Sequence, residues 1–219
     1  MTGAGLLVAH SPFSLALGGT QSRKKLGVAL LGLGNYSANL LAPALQHTEH
    51  CELRGIITGT ESKISKWQRK YGIQDSNVYT YDTIDEVANN KDIDVIYVVT
   101  PTGTHKDFAV KAANTGKHVW CEKPMAMNSD ECQAIIDACN KNGVTLSIGY
   151  RMQHEPNTRT FHHYLESMPY GKFKKVSSFA GYAGQGRDAS NWRMQQHMGG
   201  GALYDMGAVS YTHLTLPTN

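Results

Sequence analysis

The chain has 219 residues, of which 41% are hydrophobic and 18% charged, a composition typical of a globular protein. Its formal net charge of +3 is too small, and it contains no basic block, so a nucleic-acid partner is not expected. Its four cysteines (Cys51, Cys121, Cys132 and Cys139) show neither CxxC nor zinc spacing. We therefore expect free thiols and no metal site.

Residues 1–19 are apolar, rich in small residues and without charge. The segment is too short and too broken to span a bilayer, so no membrane partner is expected. It is typical of a disordered tail or of the hydrophobic part of a secretory signal. It resembles the run that follows the paired arginines of twin-arginine signals, although no such arginines are present here. We place residues 1–24 outside the fold and expect export to the periplasm, with a cytoplasmic location as the alternative.

Residues 26–43, LGVALLGLGNYSANLLAP, form the stretch around which the chain is organised. The apolar run at 26–31 predicts a strand buried on both faces, and residues at helical spacing follow the turn GLGNYS. A strand, a glycine turn and a helix are the context of a dinucleotide-binding site, in which Gly32 allows the tight turn and Gly34 lets the backbone approach a pyrophosphate. Ser37 takes the place of the third glycine. This motif alone is equally compatible with an ordinary strand-to-helix turn.

Strand and helix patterns then alternate along the chain. Strands are predicted at 51–58, 78–81, 94–100, 118–121 and 145–148, and helices at 62–70, from 83 onward, at 106–114 and from 129 to the Asn142-Gly143 pair. Side-chain caps are expected at Thr83 (in a capping box with Glu86), Thr104 and Ser129. The alternation predicts an α/β fold with a Rossmann-type, doubly wound parallel sheet and a dinucleotide-binding domain at 25–149.

The sequence changes in character after the last of these strands. Residues 156–167 predict a helix and residues 173–182 a strand, and the remainder is polar and rich in glycine. We interpret residues 150–208 as the truncated start of an α+β domain with a mostly antiparallel sheet. The segment VSYTHLTLPT at 209–218 resembles a translated sequencing adaptor. We therefore expect the chain to be a fragment whose tail, 209–219, is not native.

The end of the second predicted strand bears on the choice of cofactor. NAD-binding units of this kind carry an acidic residue there, which holds the ribose 2′-hydroxyl. Here the strand ends in Thr58-Gly59-Thr60, the first carboxylate is Glu61, and Lys63 follows. A hydroxyl and a lysine without an acid suit a 2′-phosphate, which favours NADP over NAD. The alternative interpretation of Lys63 is one exposed helix lysine among several.

Five motifs follow one another at fitting spacing: GLGNYS at 32–37, TPTGTH at 100–105, CEKP at 121–124, GYR at 149–151 and GGGALYDMG at 199–207. Together they resemble the Gfo/Idh/MocA oxidoreductases, and within that family the glucose–fructose oxidoreductase group, which is exported and holds NADP tightly. The resemblance implies hydride transfer between NADP, or alternatively NAD, and a small-molecule sugar or polyol. It also implies a homo-oligomeric parent protein.

The resemblance implies roles for individual residues. Lys123 would lie between the nicotinamide and the substrate, where an ammonium can polarise the sugar oxygen and join its proton relay. The Lys-Pro bond that follows is cis in this family, which would aim that side chain. The implied substrate contacts are Lys123, Trp192, Arg193 and Asp205, of which Lys123 and Asp205 would be catalytic. The implied cofactor contacts are Gly32, Leu33, Gly34, Asn35, Tyr36, Thr58, Gly59, Lys63, Tyr81, Thr100, Pro101, Thr102, His105, Glu122, Lys123 and Arg151.

Some of these residues have plainer interpretations. Trp192 is equally well a core aromatic, and His105 a histidine at a helix start that is capped by solvent. The pair His162-His163 has no third ligand, so we interpret it as surface rather than metal-binding. Two alternative functions use the same fold: a glycosidase that uses bound NAD for transient oxidation, and a non-catalytic nucleotide-sensing protein.

The sequence departs from the family pattern at two positions of the implied site. Thr102 stands where asparagine is common. The family places a histidine, or a tyrosine in the glucose–fructose enzymes, four residues after the aspartate of its DxG motif. That position is Val209, which has no proton to give. We therefore expect this chain to bind dinucleotide weakly and not to turn over a sugar.

Overall fold

The computed structural model describes residues 25–175, 177, 179 and 188–209. In it, the apolar runs form the strands of one parallel sheet. Its strands are β1 (Leu26–Leu31), β2 (Cys51–Ile57), β3 (Val78–Tyr79), β4 (Val95–Val98), β5 (His118–Cys121) and β6 (Leu146–Ile148). They pair in the order β3-β2-β1-β4-β5-β6, all parallel, so their carboxyl ends share one edge. The chain runs outward to β3 and returns to β4 beside β1, which places the topological switch point between β1 and β4. The predicted doubly wound α/β fold is confirmed.

Helices connect the strands and cover both faces of the sheet. They are α1 (Ala42–Leu45), which continues a π-helical turn at Ser37–Leu41, α2 (Ile64–Tyr71), α3 (His105–Asn114), α4 (Ser129–Lys141) and α5 (Pro156–Ser167). Short 3₁₀ helices lie at Glu61–Lys63, Asp75–Asn77, Ile84–Asn89, Thr102–Thr104, Arg151–His154, Trp192–Met194 and Gln196–Met198, and a second π-helical turn at Leu203–Gly207. Within the described ranges, none of these helices has the length and apolar character needed to cross a bilayer.

The side chains of β1 alternate between two cores, one on each face of the sheet. Ala29 and Leu31 are fully buried on the face covered by α3 and α4. Val28 and Leu30 are fully buried on the face covered by α1 and α2. A strand that is buried on both faces has to be central, which is why the glycine turn after β1 lies in the middle of the sheet edge. All four cysteines are free thiols, as expected.

Two predicted helix caps are wrong because each hydroxyl has a closer partner. Thr83 precedes a 3₁₀ helix rather than an α-helix, and its Oγ1 accepts from the backbone N–H of Thr80 at 2.9 Å. The hydroxyl of Thr104 donates backward to the carbonyl of Pro101 at 2.8 Å and makes no cap for α3. Short hydroxyl side chains readily take such local partners.

The cap predicted at Ser129 is displaced by one residue. Ser129 is the first residue of α4, and the cap is Asn128, whose Oδ1 accepts from the backbone N–H of Glu131 at 2.9 Å. Asparagine and serine are both good caps, so the sequence alone does not distinguish these neighbours.

Several predicted elements are shorter than expected or lie partly outside the described residues. The strand predicted at 78–81 ends at Tyr79, and that at 94–100 is limited to Val95–Val98. In the segment 173–182, the described residues 173–175, 177 and 179 are in no strand, and the others lie outside the described residues. The predicted signal-like segment at 1–24 and all but the first residue of the predicted tail also lie outside them.

Candidate functional site

A cavity of about 790 Å³ lies at the carboxyl edge of the sheet, beside the switch point between β1 and β4. The residues predicted from the sequence that line it are Gly32, Leu33, Gly34, Asn35, Tyr36, Thr58, Lys63, Tyr81, Thr100, Pro101, Thr102, His105, Glu122, Lys123, Arg151, Trp192, Arg193 and Asp205. Gly59 is not on the wall but lies against Tyr81, where a Cβ would come within 2.8 Å of the ring. The fold thus gathers side chains from distant segments around one cavity.

The glycine turn after β1 leaves room for a ligand. Gly32 has a φ of +99°, and a Cβ there would lie 2.7 Å from the carbonyl oxygen of Val99, so the position requires glycine. Apart from its own chain neighbours, a Cβ on Gly34 would meet no atom of the described residues within 4 Å. Ser37 is fully buried and donates to the Gly32 carbonyl at 2.5 Å, which closes the turn. Open space in front of a helix start suits a pyrophosphate.

The residues that follow β2 bring a hydroxyl and a cation to the cavity wall. Thr58 is 2% exposed, and its hydroxyl accepts from the backbone N–H of Thr60 at 3.1 Å. The ammonium of Lys63 donates to the carbonyl of Leu33 at 3.0 Å, so its positive charge lies beside the glycine turn. A dianionic phosphate between Thr58 and Lys63 would be attracted by the Lys63 ammonium, and neither residue brings a carboxylate that would repel it.

Glu122 is a buried carboxylate that directly follows β5. It is 8% exposed; its Oε1 accepts from the hydroxyl of Tyr97 at 2.5 Å and its Oε2 from the backbone N–H of Lys123 at 3.3 Å. Burial raises the pKa of Glu122, and both hydrogen bonds and the charges of Lys123 and Arg151 oppose that rise. Burial and the neighbouring Glu122 raise the pKa of Tyr97, so its hydroxyl stays a donor at neutral pH.

Tyr97 contacts Glu122 from behind the cavity wall and was missed by the sequence analysis, as were the lining residues Thr60, Gly149, Tyr150, Met152, Ser190, Asn191 and Met206. Tyr97 lies on β4, and its ring packs edge-on against Trp120 with centroids 5.6 Å apart. A tyrosine inside an otherwise apolar buried strand was the available signal, because a buried phenol hydroxyl requires a hydrogen-bond partner.

Lys123 forms an ion pair with Asp205, 82 residues later in the chain. Its Nζ donates to the carbonyl oxygen of Asp205 at 2.6 Å and lies 3.3 Å from Oδ1. Oδ2 of the same carboxylate accepts from Nε of Arg193 at 3.1 Å, and the guanidinium of Arg193 lies 4.4 Å from the ring centroid of Trp192. The Lys123-Pro124 peptide is cis. One carboxylate, 13% exposed, therefore holds two cations at the cavity wall.

The segment that carries Asp205 is packed closely against the first part of the chain. Gly199 has a φ of +77°, and a Cβ there would lie 2.6 Å from Cβ of Thr102. The hydroxyl of Tyr204 donates to the carbonyl of Met127 at 2.8 Å. These contacts explain how residues so distant in sequence meet at Lys123.

His105 lies at the wall of the cavity and is closed off from bulk solvent. It is 1% exposed; Nδ1 lies 2.9 Å from the carbonyl oxygen of Pro124 and Nε2 lies 2.8 Å from that of Thr100. Burial lowers the pKa of His105, and the contacts with the carbonyls of Thr100, Pro124 and Met125 oppose that lowering. The interpretation of His105 as a solvent-capped histidine is wrong.

Two further observations concern the predicted site. Val209, at the position where the resemblance implies a proton-transferring residue, also lines the cavity. Within the described residues, no group of three or more histidine, cysteine, aspartate or glutamate side chains is placed to hold a metal ion.

Comparison with known proteins places this site in a family. The profile of the Gfo/Idh/MocA proteins, described as an oxidoreductase family with an NAD-binding Rossmann fold, matches residues 26–150. The chain belongs to this family. The resemblance inferred from the five motifs is therefore confirmed. Ligands of such open α/β sheets bind at the carboxyl edge of the strands, where this cavity lies.

Three relatives illustrate the range of similarity. The chain is 29% identical over 191 residues to D-xylose 1-dehydrogenase (NADP(+)) 2 of Haloferax volcanii, covering 86% of this chain and 57% of that protein. It is 25% identical over 182 residues to D-xylose 1-dehydrogenase (NADP(+)) of Haloarcula marismortui, covering 82% and 50%. The structure of an aldose-aldose oxidoreductase from Caulobacter crescentus with glycerol is 34% identical with a TM-score of 0.74, covering 83% and 54%. The chain spans about half the length of the curated relatives it matches.

The burial of Glu122 predicts how the unfolding free energy depends on pH. Its folded pKa is raised above the ordinary 4.5, so the folded state binds this proton more tightly than the unfolded state. Glu122 therefore adds stability at low pH that is lost as the pH rises through its raised pKa. In urea titrations from pH 8 down to pH 4.5, the ordinary pKa, the unfolding free energy of Glu122→Gln should rise less on acidification than that of the wild type. An equal rise of the unfolding free energy in both proteins would contradict a raised pKa of Glu122 in the folded state.

Proposed function

We propose that a protein of the relatives' full length that carries this segment binds NADP and transfers a hydride between its nicotinamide and a sugar or polyol, whereas the 219-residue chain binds the dinucleotide weakly and does not turn over a sugar. The observation that carries the proposal is the ammonium of Lys123, held by Asp205 at the wall of a cavity that also contains the glycine turn. The names of the two D-xylose dehydrogenases and of the aldose-aldose oxidoreductase support a sugar as the substrate class.

The cavity fits a dinucleotide phosphate. The space beside Gly34 would accept the pyrophosphate, and Thr58 with Lys63 would hold the 2′-phosphate of NADP. Tyr36 and Glu122 line the same cavity near the Lys123 turn and would orient the ribose on the nicotinamide side. The bound cofactor supplies the hydride chemistry; the protein supplies position and charge.

The side chains at and around Lys123 would bind the substrate and stabilise the charge that develops on it. The Lys123 ammonium can donate to a hydroxyl or carbonyl oxygen of the substrate, and so stabilise negative charge that develops there. Asp205 keeps the ammonium in place and accepts from Arg193, whose remaining N–H groups can donate to further sugar hydroxyls. Trp192 offers an aromatic face beside this guanidinium, which suits the apolar face of a sugar ring.

The experiment that tests the proposal measures NADPH oxidation and NADP reduction with a panel of aldoses and polyols. We expect turnover of such substrates by a protein of the relatives' full length that carries this segment. Hydrolysis of a glycoside without net change in the cofactor would instead favour the glycosidase alternative. Cofactor binding with no reaction on any substrate would favour a sensing protein.

Cofactor preference gives a separate prediction, which rests on Lys63. A charge-assisted contact with phosphate contributes about 1.5–3 kcal/mol, so NADPH should bind on the order of tenfold or more tighter than NADH. Lys63→Ala should weaken NADPH and leave NADH nearly unchanged. Lys66→Ala is the matched control, because Lys66 is an exposed lysine of α2 that does not line the cavity. Fluorescence titrations with both cofactors measure this, and equal affinities for NADPH and NADH in the wild type would refute it.

A further inference from the structure

The turn at 122–124 carries Lys123 and is contacted from two sides by polar side chains, the half-buried Tyr97 and the buried His105. We propose that Tyr97 and His105 are positioning residues that hold this turn between β4 and the start of α3, and thereby fix the Lys123 ammonium. The proposal rests on the proposed function for its purpose, although the geometry it describes is a property of the chain without ligand.

The first contact comes from β4. The hydroxyl of Tyr97 donates to Oε1 of Glu122 at 2.5 Å, and Oε2 of Glu122 accepts from the backbone N–H of Lys123 at 3.3 Å. The carboxylate therefore links a central strand to the backbone of the lysine. A hydrogen bond to a buried ionised carboxylate is among the stronger ones, so it resists displacement of the turn.

The fit around this first contact is tight. A Cβ on Gly149 would lie 2.8 Å from Oε1 of Glu122 and 3.1 Å from the hydroxyl oxygen of Tyr97. The ring of Tyr97 is fixed in turn by Trp120, at an interplanar angle of 84°. Because Gly149 has no side chain, the hydroxyl and the carboxylate can meet at this point, and the surrounding atoms leave the pair little room to move.

The second contact comes from the start of α3. The His105 ring lies between the carbonyl oxygens of Thr100, two residues after β4, and Pro124, directly after Lys123. A neutral ring has one N–H and donates to one of these carbonyls, and the proposed hold requires that Nδ1 carries this hydrogen and donates to Pro124. The side chain is 1% exposed. The ring therefore acts as a spacer that sets the separation between the end of β4 and the turn.

The two contacts act on opposite sides of the same residue. Glu122, held by Tyr97, precedes Lys123, and Pro124, held by His105, follows it. Asp205 holds only the tip of the lysine side chain, from a remote segment. A displacement of about 1 Å in such a group can cost on the order of 100-fold in rate, so fixing the backbone here has a functional consequence.

The first test needs no ligand and uses the 219-residue chain. The acetylation rate of Lys123 by an N-hydroxysuccinimide ester is measured by mass spectrometry, relative to that of the exposed Lys66, which does not line the cavity. Tyr97→Phe and His105→Ala should each raise the relative rate of Lys123 on the order of tenfold, because the ammonium leaves its ion pair more often. Tyr71→Phe is the control, since among the described residues its buried hydroxyl has no hydrogen-bond partner. Unchanged rates, or a rise in only one variant, would overturn the two-sided hold.

Two more variants keep the test decisive if His105→Ala does not fold. Asparagine places an N–H near the position of Nδ1, which faces Pro124, whereas glutamine places one near Nε2, which faces Thr100. His105→Asn should therefore retain the wild-type acetylation rate of Lys123 and His105→Gln should raise it. The reverse order, or no difference between the two, would contradict a hold that acts through Pro124.

The second test separates this proposal from the proposed function. In Tyr97→Phe, the affinity for NADPH should fall about tenfold, while the affinity for adenosine 2′,5′-bisphosphate should stay unchanged, because only the nicotinamide end contacts the turn. An equal loss for both ligands would show general destabilisation and overturn the positioning role. If the wild type binds neither nucleotide, the proposed function fails, and the acetylation rates still decide whether Tyr97 and His105 hold Lys123.

Discussion

Lys123→Ala is expected to lower turnover of a sugar by about 10²–10⁴-fold, the typical contribution of a positioned acid–base group. The ammonium lies 2.6 Å from the carbonyl oxygen of Asp205 and lines the cavity, where it can reach a substrate oxygen. Alanine removes the only atoms of this side chain that can donate a proton. The affinity for NADPH should change much less, because the adenosine and pyrophosphate contacts lie elsewhere on the cavity wall.

The measurement compares kcat, KM and cofactor affinity in a protein of the relatives' full length that carries this segment. Lys106→Ala is the matched control, since Lys106 pairs with Asp107 at an exposed site and leaves the cavity unchanged. Lys123→Arg keeps the charge but replaces a compact ammonium with a planar fork, so it should restore little of the rate. Retained turnover in Lys123→Ala would show that the lysine is structural.

The fold class, an α/β fold with a doubly wound parallel sheet, could be predicted because the main strands are apolar on both faces. The runs at β1 and β4 admit only central positions in a sheet, and the helices between them follow from their spacing. The helix starts could not be predicted as well. At Thr83 and Thr104 the hydroxyl forms a hydrogen bond with a backbone group within four residues instead of capping a helix. The spacing of apolar residues does not show which of these hydrogen bonds a hydroxyl makes.

The candidate site was predictable where a motif stands directly at the end of a strand. The glycine turn and Lys123 both occupy such places, and parallel strands bring their carboxyl ends together. The pairing of Lys123 with Asp205 depends on how a distant segment packs, so spacing along the chain cannot show it. Tyr97 was overlooked for a related reason, because its partner Glu122 belongs to the neighbouring strand's end.

The two glycines of the turn should respond differently to alanine, and the difference separates folding from binding. Gly32→Ala combines a positive φ with a Cβ only 2.7 Å from the carbonyl of Val99, a backbone atom that cannot move aside easily. It should lower the unfolding free energy by about 1–3 kcal/mol and disrupt the turn. Urea denaturation measures this loss, and an unchanged unfolding free energy would contradict the geometry of the turn.

Gly34→Ala should leave stability within about 0.5 kcal/mol of the wild type, because its Cβ meets no atom within 4 Å in the part of the chain that the structure describes, its chain neighbours aside. That same space is where we place the pyrophosphate, so the new methyl group must collide with the ligand instead. Overpacking of this kind costs about 1–3 kcal/mol, which corresponds to a roughly 5–150-fold weaker affinity for NADPH. Titration calorimetry with NADPH and with adenosine tests it: adenosine, which has no phosphate, should bind the variant and the wild type equally. A Gly34→Ala protein that is stable and binds NADPH as tightly as the wild type would show that the pyrophosphate does not lie over this turn, and the assignment of the cavity to a dinucleotide would fail with it.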